Sequence, residues 1–186
     1  ASRSDEAKNH SSIDDYLKSL KTKVKITIND TSNLSRLSQM TQKTNQFNLT
    51  TKRYSESQIK EFLDSEKHTI YSFSTSDRFG DNGIVGMAII TKEEPNSAYI
   101  DSLLMSCRVL GRNIEYSFVA SIMAQLQKEN ISIVKAEYIP TAKNIQVNSF
   151  YSKCSFKETV VKNNYELNIN KYKPLNTDYI EVTIGN

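Results

Sequence analysis

Hydrophobic positions along the chain switch repeatedly between a spacing near 3.6 and a spacing of two, and each switch marks an expected element. Ile13, Tyr16, Leu17 and Leu20 share one helical face, with Ser11 or Ser12 available to cap its start. Val24-Lys-Ile-Thr-Ile28 alternates and reads as the first strand. Asp30 and Ser32 then open a helix carrying Leu34, Leu37 and Met40, and Ser55-Glu-Ser-Gln58 spells a capping box ahead of Ile59, Phe62 and Leu63. Strands are expected at Thr69–Ser74 and Ile84–Thr91, joined through a loop whose Gly80 and Asn82-Gly83 suit a hairpin turn. Ala98–Met105 gives the next strand. Beyond it Ile114, Phe118, Ile122 and Leu126 make the buried stripe of a long helix, and Ile131–Tyr138 returns as a strand. Thr141–Lys153 is expected to be a further helix, and Phe156–Val161, Tyr165–Leu167 and Tyr179–Ile184 to complete the sheet. The alternation predicts an α/β fold.

Composition narrows the class. At 186 residues, 38% hydrophobic and 24% charged, the chain suits one globular domain with its own core. No apolar run nears the ~20 residues that span a bilayer, so no membrane partner is expected. The formal charge of +3, with lysines and acids interleaved, describes a solvated surface rather than a nucleic-acid-binding stripe. Cys107 and Cys154 form neither a zinc spacing nor a disulfide framework; no metal is expected, and a reducing cytoplasm is. The polar start lacks the apolar core of a signal peptide. Residues 1–22 read as a linker and short helix from a preceding domain, and 23–186 as the folded domain.

The densest chemistry stands where the strand ending at Met105 runs into the long helix. Arg108-Val109-Leu110-Gly111-Arg112-Asn113 combines two guanidinium groups with a glycine that lets a ligand approach the backbone, beside helix amides that lack acceptors. A phosphate or pyrophosphate satisfies all three. The spacing Arg-x-x-Gly-x-Asn resembles the coenzyme A pyrophosphate loop of the GNAT acyltransferase superfamily. Downstream, Asn144 followed by Tyr151 and Phe156 resembles the other half of that signature. The implied fold has a mixed, largely antiparallel sheet flanked by helices. Asn113 and Ser155 stand where that pattern has small residues, and Asn tolerates the special backbone angles used there.

Four segments, Thr44–Tyr54, Asp77–Gly83, Met105–Arg112 and Glu137–Asn144, resemble the carboxy-terminal half of FkbH-like proteins. Those proteins join a HAD-type domain to a GNAT-like domain and are associated with moving a glyceryl group to the phosphopantetheine thiol of an acyl carrier protein. The resemblance implies coenzyme A or phosphopantetheine as cofactor, with an acyl carrier protein and an amino-terminal HAD-like domain as partners. A docking module without catalysis and a small-molecule N-acetyltransferase are the alternatives. A GNAT site holds the thioester in the wedge where two central strands splay apart, and amides of the splayed strand polarise its carbonyl. Tyr151 sits where the superfamily often places the acid, against the reading of a core residue with a satisfied hydroxyl. Asp101 and Glu137 are base candidates, as carboxylates in apolar strands where burial would raise their pKa, or else ordinary half-exposed positions.

Asn144 suits pantetheine amides or a structural helix start. Asn45, Asn48, Arg53, Arg78 and Asp81 suggest a polar pocket for a hydroxylated acyl group, or a hydrogen-bonded loop corner. Lys143 and Lys153 add basic charge near the signature segments. His10 and His68 are read as structural or solvated. Both cysteines are read as small buried hydrophobes.

Overall fold

The computed structural model describes residues 12–186. Ser11 and His10 lie outside the described residues. Helix α1 (Ile13–Ser19) is capped by Ser12, whose side chain accepts from the Asp15 amide at 3.1 Å. Strand β1 (Lys23–Ile28), helix α2 (Leu34–Lys43), the short strand β2 (Phe47–Asn48) and helix α3 (Glu56–Asp64) follow. Ser55 and Gln58 form the expected capping box of α3. Strands β3 (His68–Asp77), β4 (Gly80–Glu94) and β5 (Ser97–Met105) make a meander, and a 3-10 turn at Cys107–Val109 leads to helix α4 (Ile114–Lys128). The chain closes with β6 (Ile133–Glu137), a 3-10 turn at Ile145–Val147, α5 (Phe150–Lys153), β7 (Lys157–Glu158), β8 (Asn164–Asn168) and β9 (Glu181–Gly185).

The strands form one sheet in the order β7-β8-β6-β5-β4-β3-β1-β9, with β2 also on β5. Two pairings are parallel, β5 with β6 and β1 with β9, and the others are antiparallel. On one face Phe118, Ile122 and Leu126 of α4 and Phe150 and Tyr151 of α5 bury Val24, Phe73, Ala88 and Ile100. On the other, Leu37, Met40 and Ile59 of α2 and α3 bury Ile70, Met87, Ile89 and Leu104. Such two-faced covering is what an α/β sheet requires. No described helix is long and apolar enough to cross a membrane.

Three expectations need correction. The β3–β4 turn falls at Arg78 and Phe79, since Asp77 pairs with Gly80; Gly80 and Gly83 lie inside β4, at positive φ where that hairpin is irregular. The expected helix over Thr141–Lys153 is broken into a 3-10 turn and the single helical turn α5. Ile-Gln-Val-Asn-Ser is a poor helix-forming run, and the Asn144 side chain is already engaged with the Thr141 amide at 2.7 Å. The strand expected over Phe156–Val161 shrinks to Lys157–Glu158. Ser155, at φ +70, takes the left-handed position that ends α5, and the Phe156 amide reaches back to the Tyr151 carbonyl at 3.0 Å.

Candidate functional site

The site begins with a register shift. Ile89 pairs with Ser102 but Ile90 with Ile100, so Asp101 is an extra residue in β5. This bulge turns both Ile100 and Leu103 toward α4 and bends the strand. The parallel pairing of β5 with β6 stops at Ile100↔Ala136, and β5 runs on to Met105 without β6 while its other edge stays paired with β4. That divergence is the wedge.

The wedge is filled by the chain itself. Phe47 and Asn48 pair with Met105 and Leu104, and the Leu49 amide donates to the Leu103 carbonyl at 3.1 Å. On the far side the Ile139 amide donates to the Leu49 carbonyl at 2.8 Å, and the Asn144 Nδ2 to the Asn48 carbonyl at 2.9 Å. Asn144 is fully buried and satisfied: its Nδ2 also donates to the Ile139 carbonyl, while its Oδ1 accepts from the Thr141 amide and the Tyr138 hydroxyl. Its amide therefore holds residues 47–50 rather than facing a cavity. Sequence reasoning missed this strap, because Phe-Asn-Leu inside a polar block carries no period.

At the open end of the wedge lies a cavity of about 870 Å³, walled by α2, Thr44–Phe47, Met105–Arg108 and Ala142-Lys143. Arg36, Lys43, Arg108 and Lys143 line it, and among the described residues no carboxylate does. Burial and then the neighbouring Arg108 charge hold the Arg36 guanidinium below its ordinary pKa, as expected of crowded cations. Arg36 and Lys43 were also missed; they lie seven residues apart on α2, a spacing that puts both on one helix face. Cys107 is exposed and lines the same cavity, correcting the expectation of a buried hydrophobe, whereas Cys154 is buried and its thiol is pushed up to about 12 by burial.

The adjoining loop keeps part of its expected character. Gly111 has φ +80, with nothing within 4 Å of the position a Cβ would take. Asn113 adopts φ +62 and donates to the Tyr179 hydroxyl at 2.9 Å. Val109 is buried, and the Val109 and Leu110 amides close the 3-10 turn onto Ser106 and Cys107. No described acceptor meets the amides of Gly111, Asn113 or Ile114. The two arginines divide. Arg108 is exposed over the cavity, but Arg112 is buried against Asp77 at 2.9 Å and holds the Arg108 carbonyl at 3.1 Å, so its guanidinium fixes the loop in place.

The expected acid and bases do not line this cavity. The Tyr151 ring packs on Phe156 and Tyr165, and its buried hydroxyl meets no hydrogen-bond partner among the described residues; burial raises its pKa well above the ordinary value. Asp101 accepts from Lys52 at 3.1 Å, Tyr54 at 2.7 Å and Ser102 at 2.9 Å. Tyr99 reaches Glu137 at 3.5 Å. Burial and then Asp101 raise the Tyr54 pKa; burial works against the Lys52 ammonium, but Asp101 and Tyr99 together more than offset it.

The polar block splits as well. Asn48 Oδ1 accepts from the Thr51 amide and its Nδ2 donates to the Thr44 carbonyl; Arg53 donates to the Thr41 and Thr44 carbonyls and to Asn45 Oδ1. These are loop-corner contacts, although Asn45 also borders the large cavity. Arg78 lies over the Phe79 ring, and Asp81 accepts from the Gly83 amide within the β3–β4 hairpin. The five residues do not share one pocket. His68 is structural, with Nδ1 at 2.9 Å from Ser65 Oγ and its ring on Phe62.

No protein-family model and no curated protein matches the sequence. Solved structures do resemble the fold. The ribosomal-protein-S18-alanine N-acetyltransferase from Escherichia coli aligns with a TM-score of 0.56 and 13% identity, over 77% of this chain and 89% of that one. A spermidine N-acetyltransferase SpeG mutant from Vibrio cholerae aligns with a TM-score of 0.59 and 10% identity, over 80% and 95%. Rv2747 from Mycobacterium tuberculosis, solved in complex with CoA, aligns with a TM-score of 0.53 and 12% identity, over 70% and 69%. The fold is that of the GNAT acyltransferases, with its mixed, mostly antiparallel sheet flanked by helices.

Proposed function

We propose that this chain binds a phosphorylated pantetheine arm, carried by coenzyme A or by an acyl carrier protein, and assists transfer of a glyceryl-type acyl group. The cationic cavity carries the reading: Arg36, Lys43, Arg108 and Lys143 converge on it with no lining carboxylate among the described residues, and the loop that follows Arg108 holds the amides of Gly111, Asn113 and Ile114, which meet no described acceptor. Phosphate groups neutralise such cations and accept from such amides. The GNAT fold supports the arm, since one protein of that fold was solved with CoA. The glyceryl group, the carrier, an amino-terminal HAD-like partner domain and a cytoplasmic setting rest on the resemblance of Thr44–Tyr54, Asp77–Gly83, Met105–Arg112 and Glu137–Asn144 to FkbH-like proteins.

Calorimetry with acetyl-coenzyme A and with a pantetheinylated carrier protein tests this. Binding that weakens as salt rises is expected, because exposed cations are screened. No heat with either ligand overturns the reading. Acetylation of a small amine by the chain would replace the carrier function with N-acetyltransfer.

A further inference from the structure

The strap made by residues 47–50 bears on where the arm ends. Resting on the reading above, we propose that the wedge is permanently sealed and that the acyl end of the arm lodges in the outer cavity, against Gln39, Asn45, Gln46 and Ser106, instead of beside Tyr151. An extended, amide-bearing arm entering the wedge would add as a strand to the free edge of β5. That edge is occupied, because Phe47 and Asn48 pair with Met105 and Leu104, Leu49 bonds Leu103, and the Thr50 hydroxyl donates to the Asp101 carbonyl at 3.0 Å.

The occupant is not held loosely. Asn48 and Leu49 have 0% exposure, and Phe47 meets Phe150 edge-on at 5.1 Å. Withdrawal would take the Asn48 carbonyl from the Asn144 Nδ2, take the Leu49 carbonyl from the Ile139 amide and bare two apolar side chains, more than the amides of a pantetheine arm restore. Thr51 confirms the over-determination. A β-branched residue at φ +52 persists only where its surroundings force it, and here its amide is held by Asn48 Oδ1 at 2.9 Å. The outer cavity, in contrast, is open, has side-chain amides and a hydroxyl suited to a short hydroxylated acyl group, and adjoins the cations. A thioester held there is presented outward, to a neighbouring domain or carrier.

The test locks the strap. Asn48→Cys with Leu104→Cys joins directly paired strand positions that do not line the outer cavity, and their separation suits a disulfide. Oxidised and reduced forms of the same variant are compared by calorimetry with acetyl-coenzyme A, whose capped thiol cannot reduce the bond, after peptide mass confirms the crosslink. Affinities within twofold are expected. In the wild type, hydrogen exchange at the Leu49 amide should stay slow at saturating ligand while Gly111 and Ile114 gain protection, a measurement that does not depend on the variant folding. A tenfold loss on oxidation, or fast exchange at Leu49 with ligand, overturns the sealed wedge and leaves arm binding intact. Absence of binding to the wild type overturns the arm reading, and this inference with it.

Discussion

Replacing Asn144 with Ala should unfasten the strap, and the structure sets the size of the effect. Two carbonyls lose their donor, Asn48 O and Ile139 O, each held at 2.9 Å. Asn48 is fully buried, so its carbonyl carries the full cost of an unsatisfied group, about 1 to 3 kcal/mol. Ile139 is only half-buried and water recovers part of its loss. The Tyr138 hydroxyl keeps the Asn144 main-chain oxygen at 3.4 Å, and the half-buried Thr141 amide can be hydrated. The total comes to about 3 kcal/mol once the vacated side-chain volume is included. With a slope of about 2 kcal/mol per molar urea, the unfolding midpoint should fall by about 1.5 M. The chain has no tryptophan, so far-ultraviolet circular dichroism is the probe. Asn144→Asp should lose at least as much, because a carboxylate faces two carbonyls. A midpoint within roughly 0.3 M of the wild type for both variants would show that Asn144 does not hold the strap.

Arg108→Ala with Lys143→Ala should weaken acetyl-coenzyme A binding by about 2 to 4 kcal/mol in calorimetry, with an unchanged urea midpoint, since both side chains are exposed at the cavity. Arg112→Ala should instead cost about 3 to 5 kcal/mol of stability, because it leaves the buried Asp77 carboxylate without its guanidinium; an intact midpoint would return Arg112 to the ligand. Tyr151→Phe removes a hydroxyl that meets no partner among the described residues, so stability should hold or rise and any carrier-loading activity should persist; a hundredfold drop in turnover would restore Tyr151 as an acid. Burial raises the Glu115 pKa, so the folded state favours its protonated form, and the stability this contributes is present below its unfolded value and lost as pH rises through the folded one. Glu115→Gln should therefore gain over the wild type as pH rises above the ordinary glutamate range, read from urea midpoints, and parallel curves would refute the assignment.

What the sequence disclosed was governed by locality. Ile114, Phe118, Ile122 and Leu126 announced α4, and Ser55 with Gln58 announced α3, because spacing and caps act within a few residues. Gly111 and Asn113 could be read as special backbone positions for the same reason. Arg112 looked identical to Arg108 until Asp77, at the end of β3, was brought beside it. Asn144 looked like the start of a helix, yet its partners include Asn48, far away in the chain. The bulge at Asp101 was hidden because an extra residue changes which face Leu103 takes, and only the pairing with β4 reveals it. Long-range pairing is what a single sequence leaves unwritten.

Strand β9 lies parallel to β1, Lys23 opposite Glu181 through Thr27 opposite Gly185, so nearly the whole chain separates the two partners. During synthesis β1 can join β3 long before β9 exists, and its outer edge then stands bare as a template for any passing strand. Two exposed lysines, Lys23 and Lys25, sit on that strand. Charge of this kind discourages edge-to-edge association, so β1 carries its own protection against aggregation through the waiting period. When β9 arrives, Glu181 comes within 3.8 Å of the Lys23 ammonium, and a repulsive guard becomes a pairing cue. Removing both lysines should thus damage the yield of folded protein made in cells far more than the stability of the finished fold.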